Sequence, residues 1–300
     1  MKAAAVSYTR PTHLSEVLQL LAEHGDEARL LAGGQTLLAT LNMRLSEPAL
    51  LIDLQSVTTL KGLSISGDVL RIGALVTHTE IENSKTIALR APLLAAAAPH
   101  IAHRAIRNLG TFGGSIAYGD PAAEWPACLL AMNGVVVARS LNGIRRIPVD
   151  DFFTGLYTTD LAADEIIEAC EIELSPQNDT AQRFSFTELA RRHGDYAIVG
   201  LATTTTLRHQ VIEQIRLAWI GVGSTPMRSM VCESALLGKP LTEQTVMDAV
   251  STLRAELTPL ADLTHSEAAK KQLACVLLKR ALQGWMTPAP ACNAHVATST

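Results

Sequence analysis

The sequence predicts an α+β protein built as two domains. Three observations carry that expectation. Helix and strand patterns alternate through the first half of the chain. A polar break, Ser175-Pro176-Gln177-Asn178-Asp179-Thr180, then interrupts them. After it, strand patterns come first and helical ones later. The expected division is 1–176, 181–287 and a Pro-, Ala- and Thr-rich tail, 288–300, that reads as disordered. With 300 residues and 48% hydrophobic content, each domain can bury a core of its own.

In chain order, Leu14, Val17, Leu18 and Leu21 fall at helical spacing, and Gly25 is a plausible stop. Ala28-Arg29-Leu30-Leu31-Ala32 reads as a buried strand running into Gly33-Gly34, with a helix expected over 37–45. Strands follow at 49–54 and 69–73. An alanine-rich helix is expected over 91–105, interrupted by Pro99, and it leads to Gly110-Thr111-Phe112-Gly113-Gly114-Ser115. Residues 122–131 look helical. The stretches 135–137 and 144–147 look like paired strands around Asn142-Gly143, a strong hairpin signal. A strand is expected at 165–174. Beyond the break, 197–207 and 215–222 are β-rich, and 243–257 and 266–285 have helical periodicity.

Composition removes several function classes. A net charge of −4 and 4% aromatic residues argue against a nucleic-acid partner. No apolar run approaches the length of about 18 residues that a membrane helix needs. The apolar opening is too short for a secretory signal, so a cytoplasmic protein is expected. Cys128, Cys170, Cys232, Cys275 and Cys292 form no C-x-x-C, and the histidines form no H-x-x-x-H, so no metal is assigned.

Two glycine loops carry the chemistry. A strand ending in Leu31-Ala32-Gly33-Gly34-Gln35-Thr36 and opening a helix aims backbone N–H groups at one point, a ready phosphate site. A β-carbon there would hold a pyrophosphate off the backbone. Thr111-Phe112-Gly113-Gly114-Ser115 repeats the idea. Neither loop matches G-x-G-x-x-G or the P-loop pattern, and a lone Gly-Gly pair is more often a plain turn. Two such loops, each flanked by hydroxyl residues, bring a dinucleotide to about even odds on the residues alone.

These loops, with Asp120-Pro121 after the second, resemble the flavin phosphate loops of FAD-binding medium subunits in the xanthine dehydrogenase and carbon monoxide dehydrogenase family of molybdenum hydroxylases. Further matches are Tyr8-Thr9-Arg10-Pro11, Arg104-Ala105-Ile106-Arg107-Asn108, Asp151-Phe152-Phe153-Thr154-Gly155 and Leu161 with Asp164-Glu165-Ile166-Ile167. Arg191-Arg192 with Asp195-Tyr196-Ala197 and 221–228 extend them. The resemblance implies a two-part FAD domain of the PCMH type, then a smaller domain with an antiparallel sheet and a helical bundle.

It also implies site roles. Leu31, Ala32, Gly33, Gly34, Gln35 and Thr36 hold the pyrophosphate and part of the ribityl chain, and Thr111, Gly114 and Ser115 hold the other side. Glu124 takes the adenosine ribose hydroxyls. Ile101 and Leu161 pack against the cofactor, and Tyr196 lies beside the isoalloxazine. Gln35 and Thr36 depart from the commonest family residues. For Glu124 the bland alternative is a first-turn helix acid, and for Ile101, Leu161 and Tyr196 it is ordinary core.

No catalytic residue is expected in this chain. The implied function is electron transfer: FAD here takes electrons from 2Fe–2S clusters in a small partner subunit and passes them to a terminal acceptor. A large molybdopterin subunit oxidises the substrate, and the whole forms a dimer of heterotrimers. The rival is a self-contained FAD-dependent oxidase of the vanillyl-alcohol oxidase type. The roughly 110 residues after Thr180 look too few for that enzyme's substrate domain. A non-catalytic dinucleotide-binding module is the third possibility.

Overall fold

A computed structural model describes residues 2–176, 179 and 181–286. The tail expected over 288–300 lies outside the described residues. The first layer is a parallel three-stranded sheet in the order Ser7–Thr9, Leu50–Asp53, Ala28–Leu31. Leu50–Asp53 is buried along its whole length, as the middle strand of a parallel sheet must be. Helix Leu14–His24 lays Val17, Leu18 and Leu21 on it, and Gly25 (φ 46°) ends the helix.

The second layer is an antiparallel five-stranded sheet. Its order is Leu63–Ser66, Val69–Gly73, Ile166–Glu173, Val135–Ser140, Gly143–Pro148. One face packs Leu70, Ile72, Val136, Ala138, Cys170 and Ile172 against the helices of this half, among them Pro92–Ala97, Phe112–Tyr118 and Glu124–Ala131. The other face carries a ladder of ion pairs, Arg71 with Glu168 and Glu171, and Arg139 with Glu168.

The third layer is an antiparallel four-stranded sheet of Gln182–Leu189, Val199–Arg208, Val211–Ile220 and Met227–Arg228. Both of its faces are covered. Phe186, Ala202, Ala218 and Ile220 join the core of the preceding layer. Leu201, Leu207, Leu217 and Trp219 pack under the helices Met230–Leu236, Glu243–Glu256 and Glu267–Met286. The near-continuous burial of Val199–Arg208 follows from that double cover.

Polar ties lock this sheet to the N-terminal half. At the C-terminal end of helix Glu124–Ala131, Arg216 Nε and Thr204 Oγ1 donate to the carbonyls of Leu130 and Ala131 at 2.8 and 2.7 Å. Arg216 and Arg228 both reach Asp150, at 2.8 and 2.9 Å. The α+β architecture matches expectation, with an antiparallel sheet and helices in the C-terminal half. Local readings differ in several places, among them these. The helix expected to reach residue 45 ends as Leu37–Asn42. The alanine-rich stretch splits into Pro92–Ala97, a 3-10 turn at Ala98–His100 that contains Pro99, and Arg104–Arg107. The strand Gln182–Leu189 was not expected at all.

Candidate cofactor site

The first glycine loop leaves the carboxyl end of strand Ala28–Leu31 and turns into helix Leu37–Asn42. Gly34 sits at φ +71°, where a side chain is strained. Gln35 Nε2 folds back to donate to the Gly33 carbonyl at 2.9 Å and so braces the turn. Among the described residues, nothing accepts a hydrogen bond from the backbone N–H of Gly33, Gly34, Gln35 or Thr36. All four residues are half-buried. A run of free, partly shielded amide donors at the end of a parallel strand is an anion cradle, so the pyrophosphate of a dinucleotide fits here.

The second loop is built differently. The N–H groups of Phe112 and Gly113 donate to the carbonyls of Val76 and Ala74 at 2.8 and 2.9 Å. Gly114 N–H goes to Thr111 Oγ1 at 3.1 Å, and Ser115 N–H to the Thr111 carbonyl at the same length. This corrects the idea that both loops present free amides. What loop two can offer is the Ser115 hydroxyl and a rigid wall. A β-carbon on Gly113 would lie 2.5 Å from Ala74 Cβ, so that glycine serves packing.

The loops touch each other, and this changes the reading of Gly33. A β-carbon there would stand 2.0 Å from the Leu109 carbonyl oxygen and 2.8 Å from Gly110 Cα. Gly33 is therefore needed first for loop-on-loop contact. At Gly114 a β-carbon would meet Thr111 Oγ1 at 2.8 Å within the second loop and Ala32 Cβ of the first at 3.5 Å.

The remaining candidates come from other elements. Ile101 is buried, and its carbonyl accepts from Arg107 at 3.0 Å. Leu161 is half-buried against the same core. Glu124 opens helix Glu124–Ala131, and its pKa is pushed up to about 8 by burial, then by Glu188 and Asp120. Tyr196 is 70% exposed, so the ordinary-core reading does not hold for it. Its phenol pKa is nonetheless raised, first by shielding of the hydroxyl end and then by Asp120, Tyr118 and Glu124.

Several residues at the junction were not foreseen. His78 is buried, accepts from Trp125 Nε1 at Nδ1 (2.9 Å), and donates its backbone N–H to Gly110 at 3.0 Å. A β-carbon on Gly110 would lie 2.6 Å from His78 Nε2, so the imidazole lies against the start of loop two. Asp120 is buried and holds the Ala122 N–H at 2.8 Å. Tyr118 and Tyr157 pack with their rings tilted by 50° and centroids 5.1 Å apart. Glu188 comes from the unexpected strand and meets His100 at 3.3 Å. For His78, Tyr118, Tyr157 and Glu188 the partners lie far off in the chain, so no local sequence signal marks them.

Comparison with known proteins agrees with this geometry. Residues 4–173 match the family described as FAD binding domain in molybdopterin dehydrogenase, and 184–284 match CO dehydrogenase flavoprotein C-terminal domain. The chain is 38% identical to the nicotine 6-hydroxylase medium subunit of Paenarthrobacter nicotinovorans, over 94% of this chain and 98% of that one. It is 34% identical to the carbon monoxide dehydrogenase medium chain of Hydrogenophaga pseudoflava, over 92% and 95%. Among solved structures, carbon monoxide dehydrogenase from Hydrogenophaga pseudoflava superposes with a TM-score of 0.91 at 33% identity, covering 95% of this chain and 99% of that one. Quinoline 2-oxidoreductase from Pseudomonas putida 86 gives 0.88 at 35% identity, over 96% and 100%. With such coverage of whole subunits, the self-contained oxidase is not favoured. The chain belongs to the FAD-binding medium subunits of the carbon monoxide dehydrogenase and xanthine dehydrogenase family of molybdenum hydroxylases.

Proposed function

We propose that this chain is the electron-transfer subunit of a heterotrimeric molybdenum hydroxylase. It takes electrons from the 2Fe–2S clusters of a small subunit and delivers them to a terminal acceptor. A large molybdopterin subunit oxidises the substrate, and two heterotrimers assemble as a dimer. Relatives named as subunits of nicotine, caffeine and carbon monoxide enzymes support the assembly. Bound FAD supplies a centre able to exchange electrons singly or in pairs.

The observation that carries this reading is the row of free amides at 33–36. They hold the pyrophosphate, with Leu31 and Ala32 forming the floor of the turn and the Thr36 hydroxyl as a further donor. Thr111, Gly114 and Ser115 wall the other side. Glu124 accepts from the ribose hydroxyls, Ile101 and Leu161 supply apolar contact, and Tyr196 stands over the ring system. The FAD domain is 1–176 and the C-terminal flavoprotein domain 181–287. Among the described residues, four free thiols are buried, which suits a reducing compartment such as the cytoplasm. Among the described residues no helix is long and apolar enough to cross a membrane.

The test is direct. The purified chain should carry about one FAD per chain, which acid precipitation releases into the supernatant. Flavin retained in the pellet would be covalent and would count against this reading. Mixed with its small and large partners, the flavin should be reduced by substrate; the chain alone with the same substrate should stay oxidised.

A further inference from the structure

Tyr157 occupies the turn between the paired strands Phe153–Gly155 and Thr158–Thr159, at φ 53°. The left-handed region is strained for a bulky side chain. The ring gains little burial there, since it is 51% exposed. Its hydroxyl, like those of Tyr118 and Tyr196, has no hydrogen-bond partner among the described residues. Its aromatic neighbour is Tyr118, with centroids 5.1 Å apart. Neither the strain nor the half-bare ring stabilises the fold, so both point to a function outside it.

Tyr118 ties this pair to the second glycine loop. It closes helix Phe112–Tyr118 four residues after Gly114, so the two share one helix face. The opposite face, with Phe112, Gly113 and Ile116, is buried. An added β-carbon on Gly114 would lie 3.5 Å from Ala32 Cβ of the first loop, so the shared face is the one turned to the loop junction. Past Gly114 it leads on to Tyr118 and Tyr157. Gly119 rests on the same hairpin, where an added β-carbon would meet Thr159 Cγ2 at 3.1 Å.

Tyr196 reaches this place from the C-terminal half. Gly221 N–H donates to the Pro121 carbonyl at 2.9 Å, and an added β-carbon on Gly221 would stand 3.1 Å from the Ala197 carbonyl oxygen. Asp120 and Tyr196 therefore flank one contact. The raised phenol pKa values of Tyr157 and Tyr196, caused in each first by burial and then by Asp120, agree with that placement. The chain has four tyrosines, and three of them gather here. Half-exposed rings with free hydroxyl donors suit a planar ligand that carries acceptor oxygens on its rim. Adenine has no carbonyl, whereas the isoalloxazine has carbonyls on one edge.

We propose that Tyr157, backed by Tyr118, is a further flavin-contacting residue of the cofactor site: the isoalloxazine packs against its ring, within reach of its hydroxyl. The inference rests on the reading that FAD occupies the loop junction, and it adds the hairpin 153–159 to that site.

The experiment uses the full chain stripped of flavin and titrated with FAD, with ADP as competitor, and reads both affinity and the emission of the bound flavin. A tyrosine touching an excited flavin quenches it by reversible electron transfer, which phenylalanine does not support. Tyr157→Phe should brighten the bound flavin severalfold and keep FAD affinity within about threefold of wild type. Tyr157→Gly removes the ring and relieves the backbone. It should brighten the flavin equally and weaken FAD by about fivefold, the worth of one aromatic contact. Its affinity for ADP should stay as in wild type, and the flavin-free variant should melt no lower than wild type. Wild-type emission and FAD affinity in both variants would overturn the proposal. So would a matching loss for ADP, which would place Tyr157 at the adenosine end. A lower melting temperature of the flavin-free Gly variant would make the ring a structural prop for Tyr118 and would overturn it as well. Wild type that binds no FAD would overturn the cofactor reading itself, and this proposal with it.

Discussion

The two glycine loops look alike as strings of residues, and they do opposite things with their backbones. At 33–36 the amide hydrogens are free and half-shielded. At 112–115 every one is already spent, on Val76, Ala74 and Thr111. The first loop can give up to four hydrogen bonds to an anion; the second gives rigidity and a surface to lean on. Glycine is required in both because backbone approaches backbone, Gly33 against Leu109 and Gly113 against Ala74. A Gly-Gly pair thus reports close approach, and only the hydrogen-bond accounting tells whether a ligand or the protein itself is approached.

The largest effect should come from Gly33→Ala. Its β-carbon would lie 2.0 Å from the Leu109 oxygen, so the loops must part. Overpacking of this kind costs about 1–3 kcal/mol of stability. Displacing the cradle should cost FAD on the order of a hundredfold in affinity, about 3 kcal/mol. Flavin content and melting temperature should both fall. Full flavin content in this variant would end the assignment of loop one as the phosphate site.

Acid should reach the same junction through loop two. His78 has its pKa lowered to about 4, first by burial and then by the Arg107 charge. Neutral His78 is favoured in the folded state, so its contribution is fully present above about pH 6.5. It is lost as pH falls through the folded value near 4, and amounts to on the order of 3 kcal/mol. Denaturant melts from pH 7 to 4 should show that loss in wild type. Glutamine keeps an acceptor for Trp125 Nε1, so His78→Gln should flatten the profile and retain FAD further into acid. An unchanged slope would mean that His78 does not couple protonation to loop two.

Much of this was legible in the residues, for identifiable reasons. The long C-terminal helices have periodic apolar residues, and Glu243–Glu256 begins and ends close to expectation. The glycine loops stand out because their composition is itself the constraint. The alanine-rich stretch misled, since Ala favours one long helix while Ala91, at φ −136°, and Pro99 break it into pieces. Strand Gln182–Leu189 escaped notice because Phe184, Phe186 and Glu188 share one face, and burial on that face runs from exposed Phe184 to buried Phe186 and the carboxylate of Glu188, so polarity does not alternate with burial. The contact of Gly33 with Leu109, and the supply of carbonyls to loop two by Ala74 and Val76, depend on tertiary approach that no local pattern records.

Thr111→Val sharpens the comparison at smaller scale. It removes the hydroxyl that accepts from Gly114 N–H, the cap of helix Phe112–Tyr118. The loss of such a cap costs about 1 kcal/mol. Loop two should loosen without opening, and FAD affinity should drop only severalfold, well short of the Gly33→Ala effect. Flavin titration of the two variants side by side measures the ratio. Equal losses would show that loop two contributes donors on a par with loop one.

The smallest effect on stability, and the most specific on chemistry, should belong to Tyr196→Ala. The ring is 70% exposed, so its removal takes little apolar area out of a core and should leave the melting temperature within about 0.5 kcal/mol of wild type. It lies far from the amide cradle in its chemistry, since its neighbours are Asp120, Tyr118 and Glu124 and none is a phosphate donor. FAD content should therefore persist. On the proposed function, an aromatic ring beside the flavin would limit what reaches it from solvent. Its loss should change the rate of flavin reoxidation and the preference among acceptors, while reduction of the partner's 2Fe–2S clusters by substrate keeps its wild-type rate. Rapid-mixing traces on the assembled complex follow the two phases separately. Unchanged reoxidation with every acceptor would remove Tyr196 from the site. A loss of bound FAD would instead move it to the binding side of the comparison, beside loop one.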